Sequence, residues 1–155
     1  MISRRIILGV VSIVALLLMA ACDSGVQNTP TSPPPAAATI TLETSGGIAG
    51  IHKVLTIDPT GAATYSAGST SKTGQIPPAD HNQMLQQLTK ADFFNLKDTY
   101  DNGNVADDFY YKITVKQTDK AKTVTVAEVG GKDLTPQALQ DLITQLNSFQ
   151  DTLVK

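Results

Sequence analysis

The stretch Phe109-Tyr-Tyr-Lys-Ile-Thr-Val-Lys116 alternates strictly between two kinds of side chain. Its odd-numbered positions, from Phe109 to Val115, are aromatic or aliphatic and would face one side, while Tyr110, Lys112, Thr114 and Lys116 would face the other. This period of two is typical of a β-strand with one buried and one solvated face. The stretch therefore predicts an antiparallel sheet, around which the rest of the chain can be placed.

The residues after this strand predict a hairpin and a helix. Gln117 to Ala121 can turn the chain, and Lys122 to Glu128 alternate again as a returning strand. Thr135 followed by Pro136 has the residue types of a helix N-cap and first helical position. An apolar stripe at helical spacing follows and must cover the sheet. The stripe consists of Leu139, Leu142, Ile143, Leu146, Phe149 and Leu153.

Three more strands are expected nearer the N-terminus. Thr39 to Thr44 and Ile51 to Ile57 alternate as half-buried strands do. Asp58-Pro-Thr-Gly61 has the chemistry of a type I turn, with Asp first, Pro second and Gly last. The turn predicts that Ala62 to Ser66 return as the second arm of a hairpin. Gly68 to Gly74 is interpreted as a polar loop.

A first helix is expected after Pro77 and Pro78, because apolar residues from Met84 to Ala91 recur at spacings of three and four. The element order is then β, β, β, α, β, β, α. This order predicts an α+β fold, an antiparallel sheet of about four to five strands with two helices packed on one face. Residues 39–155 are long enough to form one such domain with its own core.

The N-terminus has the composition of an export signal. Arg4 and Arg5 precede Ile6 to Ala21, sixteen residues without a charge. A transmembrane helix is the alternative, but crossing the hydrocarbon core takes about 20 apolar residues and this run is shorter. Residues 1–21 are therefore expected to be a signal peptide.

Met19-Ala-Ala-Cys22 closes the apolar run and resembles the bacterial lipobox. The resemblance implies that Cys22, the only cysteine, receives lipid and becomes the mature N-terminus. Two or three acyl chains would hold the protein firmly at a membrane. The expected location is the cell membrane, with the domain on its extracytoplasmic side.

Residues 22–38 are expected to be a lipidated cysteine and a proline-rich tether. Pro30, Pro33, Pro34 and Pro35 favour extended polyproline II structure, which at about 3.1 Å per residue gives a reach of roughly 50 Å. An SH3-type ligand is the alternative, but no basic residue flanks the prolines. A spacer is the preferred interpretation.

The charge balance argues against nucleic acid. The full chain has 12 basic and 14 acidic side chains. Removing residues 1–21 removes Arg4 and Arg5, which leaves 10 against 14, a net charge of −4. No basic patch is left to attract phosphates.

Catalytic signatures are absent from the sequence. HExxH, GxSxG and Walker motifs do not occur, and the two histidines, His52 and His81, fall on different predicted elements. Both histidines are interpreted as solvent-facing polar residues. The domain is therefore expected to be non-catalytic and to use no cofactor or metal.

The acidic segment from Asp98 to Asp108 also suggests a calcium loop, since calcium prefers several carboxylate and amide oxygens. However, Tyr100 and Phe109 occupy two ligand positions of the EF-hand register. An ordinary Asn-Gly loop is the preferred interpretation.

Three segments, in this order, resemble the emfourin family of metalloprotease inhibitors. They are Ser45-Gly-Gly-Ile-Ala-Gly50, Ala91-Asp-Phe-Phe-Asn-Leu96 and Asp108-Phe-Tyr-Tyr-Lys-Ile-Thr-Val115. Related domains of unassigned function share the pattern. The resemblance implies a domain that plugs the cleft of a thermolysin-like zinc protease.

Partner contacts are expected from Gly46, Gly47, Ile48, Ala49 and Gly50. Glycine permits positive φ and close backbone approach, but it serves tight β connections for the same reason. Ala62 to Gly74 form an insertion relative to the family pattern. The alternative function is a tethered binding or scaffold module of the cell envelope without a protease target. The domain is expected to be a monomer.

Overall fold

The computed structural model describes residues 36–155 of the chain. The expected signal peptide, Cys22 and nearly all of the tether lie outside these residues. The strands are β1 Thr39–Gly46, β2 Ile51–Ile57, β3 Ala62–Ala67, β4 Thr70–Gln75, β5 Thr99–Tyr100, β6 Phe109–Lys116 and β7 Ala121–Ala127. The helices are α1 Pro78–Lys90, a 3-10 helix Phe93–Asn95 and α2 Gln137–Val154.

The strands form one sheet in the order β4-β3-β2-β1-β6-β7-β5. Every neighbouring pair is antiparallel except β5 and β7, which run parallel. The α+β class is thus confirmed. The sheet is larger than the expected four to five strands, and it is mixed rather than purely antiparallel.

The strand count differs because two strands carry no apolar alternation. Residues 68–74 were expected to be a loop, but Gly68 and Ser69 form a two-residue turn that leads into β4. Gly68 has φ +56°, as the first position of a type II′ hairpin turn requires. Strand β4 is polar because it lies at the sheet edge and is exposed along nearly its whole length. Strand β5 has only two residues, too few to show a period.

The core lies between one face of the sheet and the helices. Ile40 and Leu42 of β1 and Ile113 and Val115 of β6 are fully buried there. Burial of each such side chain contributes roughly 1.5–3 kcal/mol. From the helices, the core receives Met84, Leu85, Leu88, Leu139, Leu142, Ile143 and Leu146. These residues all belong to one compact unit, which carries its own core.

Helix α2 begins differently from the prediction. It starts at Gln137 after Pro136, and no side chain caps its first turn. The Thr135 hydroxyl is buried and donates instead to the carbonyl oxygen of Gly131 at 2.8 Å. Thr135 therefore stabilises the connection from β7 rather than the helix N-terminus.

The other face of the sheet carries no helix and is rich in threonine. One cross-strand row continues in register through six strands, from β4 to β7. The row consists of Thr73, Thr64, Thr56, Thr41, Thr114 and Thr123. The hydroxyls of Thr114 and Thr123 lie 2.9 Å apart.

Among the described residues, neither helix is long and apolar enough to span a membrane.

Candidate partner-binding surface

Residues 47–50, here called the tip, connect β1 to β2 at one end of the sheet. Gly46 and Ile51 are the last paired residues below it. The backbone N–H of Gly50 donates to the carbonyl oxygen of Gly47 at 3.0 Å, which closes the turn. The Ile48 side chain is 93% exposed at its apex, and Ala49 beside it is also exposed. The tip therefore presents an apolar side chain that the domain does not cover.

Two of the three glycines are required by close packing against β6. A Cβ on Gly46, at φ +118°, would overlap the carbonyl oxygen of Asp108. A Cβ on Gly47 would lie 2.6 Å from the ring of Phe109. At Gly50 no atom lies within 4 Å of a Cβ, and only its φ of +59° favours glycine. Gly46 and Gly47 thus fix the base of the tip, and their role is structural.

Asp108 connects the tip to the loop that follows β7. Its carbonyl oxygen accepts the N–H of Gly47 at 3.4 Å. Its carboxylate accepts the N–H of Val129 at 3.1 Å and that of Gly130 at 2.8 Å. The residue is only 6% exposed, so these bonds form where water is largely excluded. One buried side chain therefore orients two loops that are distant in sequence.

The loop held by Asp108 exposes a second apolar side chain. Val129 is 61% exposed and borders a groove of about 800 Å³ between α2 and the sheet. The groove is floored by Val126, Ile143 and Tyr111. The Tyr111 hydroxyl donates to Glu128 at 2.7 Å. Burial, together with this carboxylate, raises the pKa of Tyr111 well above its usual range, so the phenol stays protonated.

Ile48, Val129 and the loops that hold them are here called the end surface. The tip leaves β1 and the Val129 loop leaves β7, with β6 between these strands. Two strand spacings correspond to roughly 10 Å across the sheet. The two most exposed large apolar side chains of the described residues are therefore close enough to contact one partner.

The structure separates the two histidines. His52 lies on the open face of the sheet, as expected, and its Nε2 is 3.0 Å from Glu43 Oε1. Lys112 lies 3.3 Å from the other oxygen of Glu43. The hydrogen bond with His52, assisted by Lys112, lowers the pKa of Glu43 below its usual value. This surface cluster joins His52 and Lys112 to one carboxylate on the open face of the sheet.

The expectation that His81 faces solvent is wrong. His81 is only 7% exposed, on the first turn of α1. A Cβ at Gly61 would lie 3.5 Å from Nδ1 of His81, so the ring packs next to the turn that precedes β3. Among the described residues, Nε2 of His81 has no hydrogen-bond partner. The imidazole therefore acts as a core-filling group at the far end of the sheet from the tip.

The acidic segment from Asp98 to Asp108 makes contacts in two places, at Lys122 and around Gly130. Asp98 pairs with Lys122, and Asp101 accepts the hydroxyl of Tyr110 at 3.3 Å. Gly103 has φ +69°, as an Asn-Gly turn requires. Within residues 36–155, no three His, Cys, Asp or Glu side chains are grouped as metal ligands.

Comparison with known proteins places the chain in a family but gives no activity. No curated protein matches the sequence. The family model described as "Domain of unknown function (DUF6438)" matches residues 53–150. The match includes Asp108, Val129, all of α1 and most of α2, and it begins just after the tip. The chain therefore belongs to the DUF6438 family of domains.

Proposed function

We propose that this chain is a non-catalytic, lipid-anchored protein of the cell envelope whose tip inhibits a thermolysin-like zinc metalloprotease. The observation that carries the proposal is the 93% exposed side chain of Ile48 at the tip. Fully burying an isoleucine side chain contributes roughly 1.5–3 kcal/mol. The domain leaves this side chain in water. A partner with an apolar pocket would gain this free energy by burying it.

The rigidity of the tip supports insertion into a cleft. Gly46 and Gly47 pack against Asp108 and Phe109, and the Gly50 to Gly47 hydrogen bond closes the turn. A preorganised loop loses little conformational entropy on binding, so more of the contact energy appears as affinity. Buried apolar anchors of this kind commonly dominate an interface.

The choice of protease class comes from the emfourin resemblance. The most distinctive part of that resemblance, Ser45 to Gly50, includes the whole of the tip. The family match begins at Lys53 and does not include the tip. The inhibitor proposal therefore rests on the tip and not on membership of the family.

Inhibition is testable with residues 36–155, which include the complete core. We expect a saturable loss of thermolysin-like protease activity as the domain is added, and no effect on a serine protease. Ile48→Asp should weaken inhibition at least about 30-fold, the effect of losing a hot spot of about 2 kcal/mol. Val154→Asp is the matched control, because Val154 is also apolar and 45% exposed but lies at the end of α2.

Two results would contradict the inhibitor proposal. One is the absence of inhibition across several thermolysin-like proteases. The other is equal weakening by Ile48→Asp and Val154→Asp, since the tip would then have no special role.

A tethered binding module is the second candidate, and the groove beside Val129 favours it. The groove and the 61% exposed Val129 offer an apolar site that needs no protease. Under this alternative, the domain leaves all proteases active, while Val129→Asp abolishes capture of an envelope partner and Val154→Asp does not.

The lipid anchor is tested separately at Cys22. The Cys22→Ala chain should leave the membrane fraction and lose the mass of the acyl groups, because no lipid can then be attached. A wild-type chain without acyl mass, or a Cys22→Ala chain that stays in the membrane, would refute the anchor.

A further inference from the structure

We infer that β4 pairs with β4 of a second copy, so that two domains share one continuous sheet. This inference goes beyond the proposed function, because it concerns the edge of the sheet and not the end surface. A monomer and, separately, a loop at residues 68–74 are expected from the sequence. The structure places an edge strand there, and edge strands present unpaired backbone groups for strand addition.

The pairing of β3 with β4 determines which backbone groups of β4 are free. Residues flanking a two-residue hairpin turn exchange both of their hydrogen bonds, and here these are Ala67 and Thr70. The N–H of Ile76 also donates to β3, reaching the carbonyl oxygen of Gly61 at 2.9 Å. Even-numbered residues of β4 thus bond inward. The N–H and C=O groups of Ser71, Thr73 and Gln75 point outward.

Three consecutive outward positions define one symmetric register. If Thr73 faces Thr73 of the second copy, then Ser71 faces Gln75 of that copy, and Gln75 faces its Ser71. Each opposed pair is then a hydrogen-bonded pair that exchanges two bonds. A two-fold axis through Thr73 therefore satisfies all the outward backbone groups from Ser71 to Gln75 in both copies.

The side chains suit this register. On the open face, Thr73 meets Thr73, and cross-strand threonine pairs stabilise antiparallel sheets. The threonine row then continues without interruption from one copy to the other. The amide nitrogen of the Gln75 side chain already donates to the carbonyl oxygen of Thr60 at 2.9 Å. The amide oxygen of Gln75 is left to accept the Ser71 hydroxyl of the second copy.

The register also accommodates the one charge on β4. Lys72 lies on the helix-covered side, opposite buried Tyr65 of β3. In the symmetric pair it faces Gly74 of the second copy rather than another lysine. Leu153 of that copy packs over its Gly74, so the aliphatic part of Lys72 gains an apolar neighbour while the ammonium stays in water.

The two edges of the sheet differ in their capacity to pair. The opposite edge, β5, has two residues and offers little backbone for another strand. Strand β4 has six residues and no proline. A two-fold axis at Thr73 pairs each β4 with one other β4, so association through this strand makes a closed dimer.

The experiment uses residues 23–155, which lack Cys22 and contain the whole described domain, residues 36–155. Sedimentation over a range of concentrations should show a reversible monomer–dimer equilibrium. Thr73→Pro removes an outward N–H at an edge position where proline is tolerated. It should weaken association at least tenfold, whereas Thr73→Val, which keeps the N–H, should leave the dimer intact.

A cysteine cross-link tests the register independently of folding effects. Thr73→Cys should form a disulfide-linked dimer under mild oxidation, because opposed residues in a hydrogen-bonded pair have Cα atoms about 5.5 Å apart. Thr64→Cys, the cross-strand neighbour on β3, would lie about 14 Å from its symmetry mate and should not cross-link. A chain that is monomeric at every concentration, or equal cross-linking of both variants, would overturn the inference.

Discussion

Two aspartates, one at each end of the sheet, stabilise loops in different ways. At the end opposite the tip, Asp58 accepts the Thr60 N–H at 2.7 Å and the Ala62 N–H at 3.0 Å, within its own turn. Asp108 is buried and accepts N–H groups that lie 21 and 22 positions away. Local chemistry thus closes one end of the sheet, and a long-range contact organises the end that exposes Ile48.

The largest effect is expected from breaking the contact between the tip and Asp108. Gly46→Ala should lower the free energy of unfolding by about 3 kcal/mol or more, because the added Cβ overlaps the Asp108 carbonyl and strains a positive φ. Urea denaturation measures the change. Gly50→Ala is the control; it keeps the φ penalty without the overlap and should cost about 1 kcal/mol. Equal losses of unfolding free energy for Gly46→Ala and Gly50→Ala would show that the close approach of Gly46 to Asp108 does not exclude a Cβ.

The next largest effect concerns the Asp108 carboxylate. Asp108→Asn preserves the shape of the side chain but removes the charge that strengthens the bonds to Val129 and Gly130. Hydrogen bonds to charged groups contribute about 1.5–3 kcal/mol, so we expect a loss of about 2 kcal/mol in urea. Asp107→Asn is the matched control, since Asp107 is exposed and asparagine tolerates its φ of +58°. If Asp107→Asn lowers the free energy of unfolding as much as Asp108→Asn, the bonds to Val129 and Gly130 do not account for the effect.

A smaller, pH-dependent effect is expected at Asp58. The hydrogen bond from the Thr60 hydroxyl, together with the backbone N–H groups of the turn, lowers the pKa of Asp58 below its usual value. The stabilisation is therefore complete above about pH 4 and is lost as the pH falls through the lowered pKa. Thermal denaturation from pH 5 to pH 2.5 should show the Asp58→Ala and wild-type domains converging in Tm at the acidic end. A constant difference in Tm across this range would contradict the assignment.

The smallest effect on stability is expected at Ile48. Ile48→Ser should change the free energy of unfolding by no more than about 0.5 kcal/mol, because the side chain is 93% exposed. Ile57→Ala, at a fully buried position of β2, should cost about 2–5 kcal/mol in the same denaturation experiment. A substantial loss for Ile48→Ser would mean that the tip supports the fold, which would weaken the case for a partner.

The difference between local contacts, as at Asp58, and long-range contacts, as at Asp108, explains which features could be predicted from the sequence. The Asp58 turn was predicted because all its partners lie within four residues, and its closing bond from Gly61 to Asp58 is present at 3.0 Å. The helices and the hairpin from β6 to β7 were predicted from their periodicity. The sequence also indicates Gly46, Gly47 and Gly50 as partner-binding residues. In the structure, Gly46 and Gly47 allow close packing against β6.

Features that depend on distant neighbours were missed. The sequence places Asp108 in a candidate calcium loop and in the third emfourin-like segment, and nothing local connects it to Val129. The burial of His81 depends on how the first turn of α1 packs, which a single polar residue after two prolines does not indicate. Strand β4 shows no apolar alternation because nearly all of its residues are exposed.

The central position of β1 has a consequence for the order of folding. On one side β1 pairs with β2, its immediate successor, but on the other side Gly46 pairs with Phe109, 63 positions later. Short loops close faster than long ones, so the meander of β1 to β4 can form before β6 arrives. During that interval β1 is itself an open edge, and the meander is exposed to pairing with other chains on both sides. Docking of β6 and β7 removes one of these edges and leaves only β4 open at that end of the finished sheet.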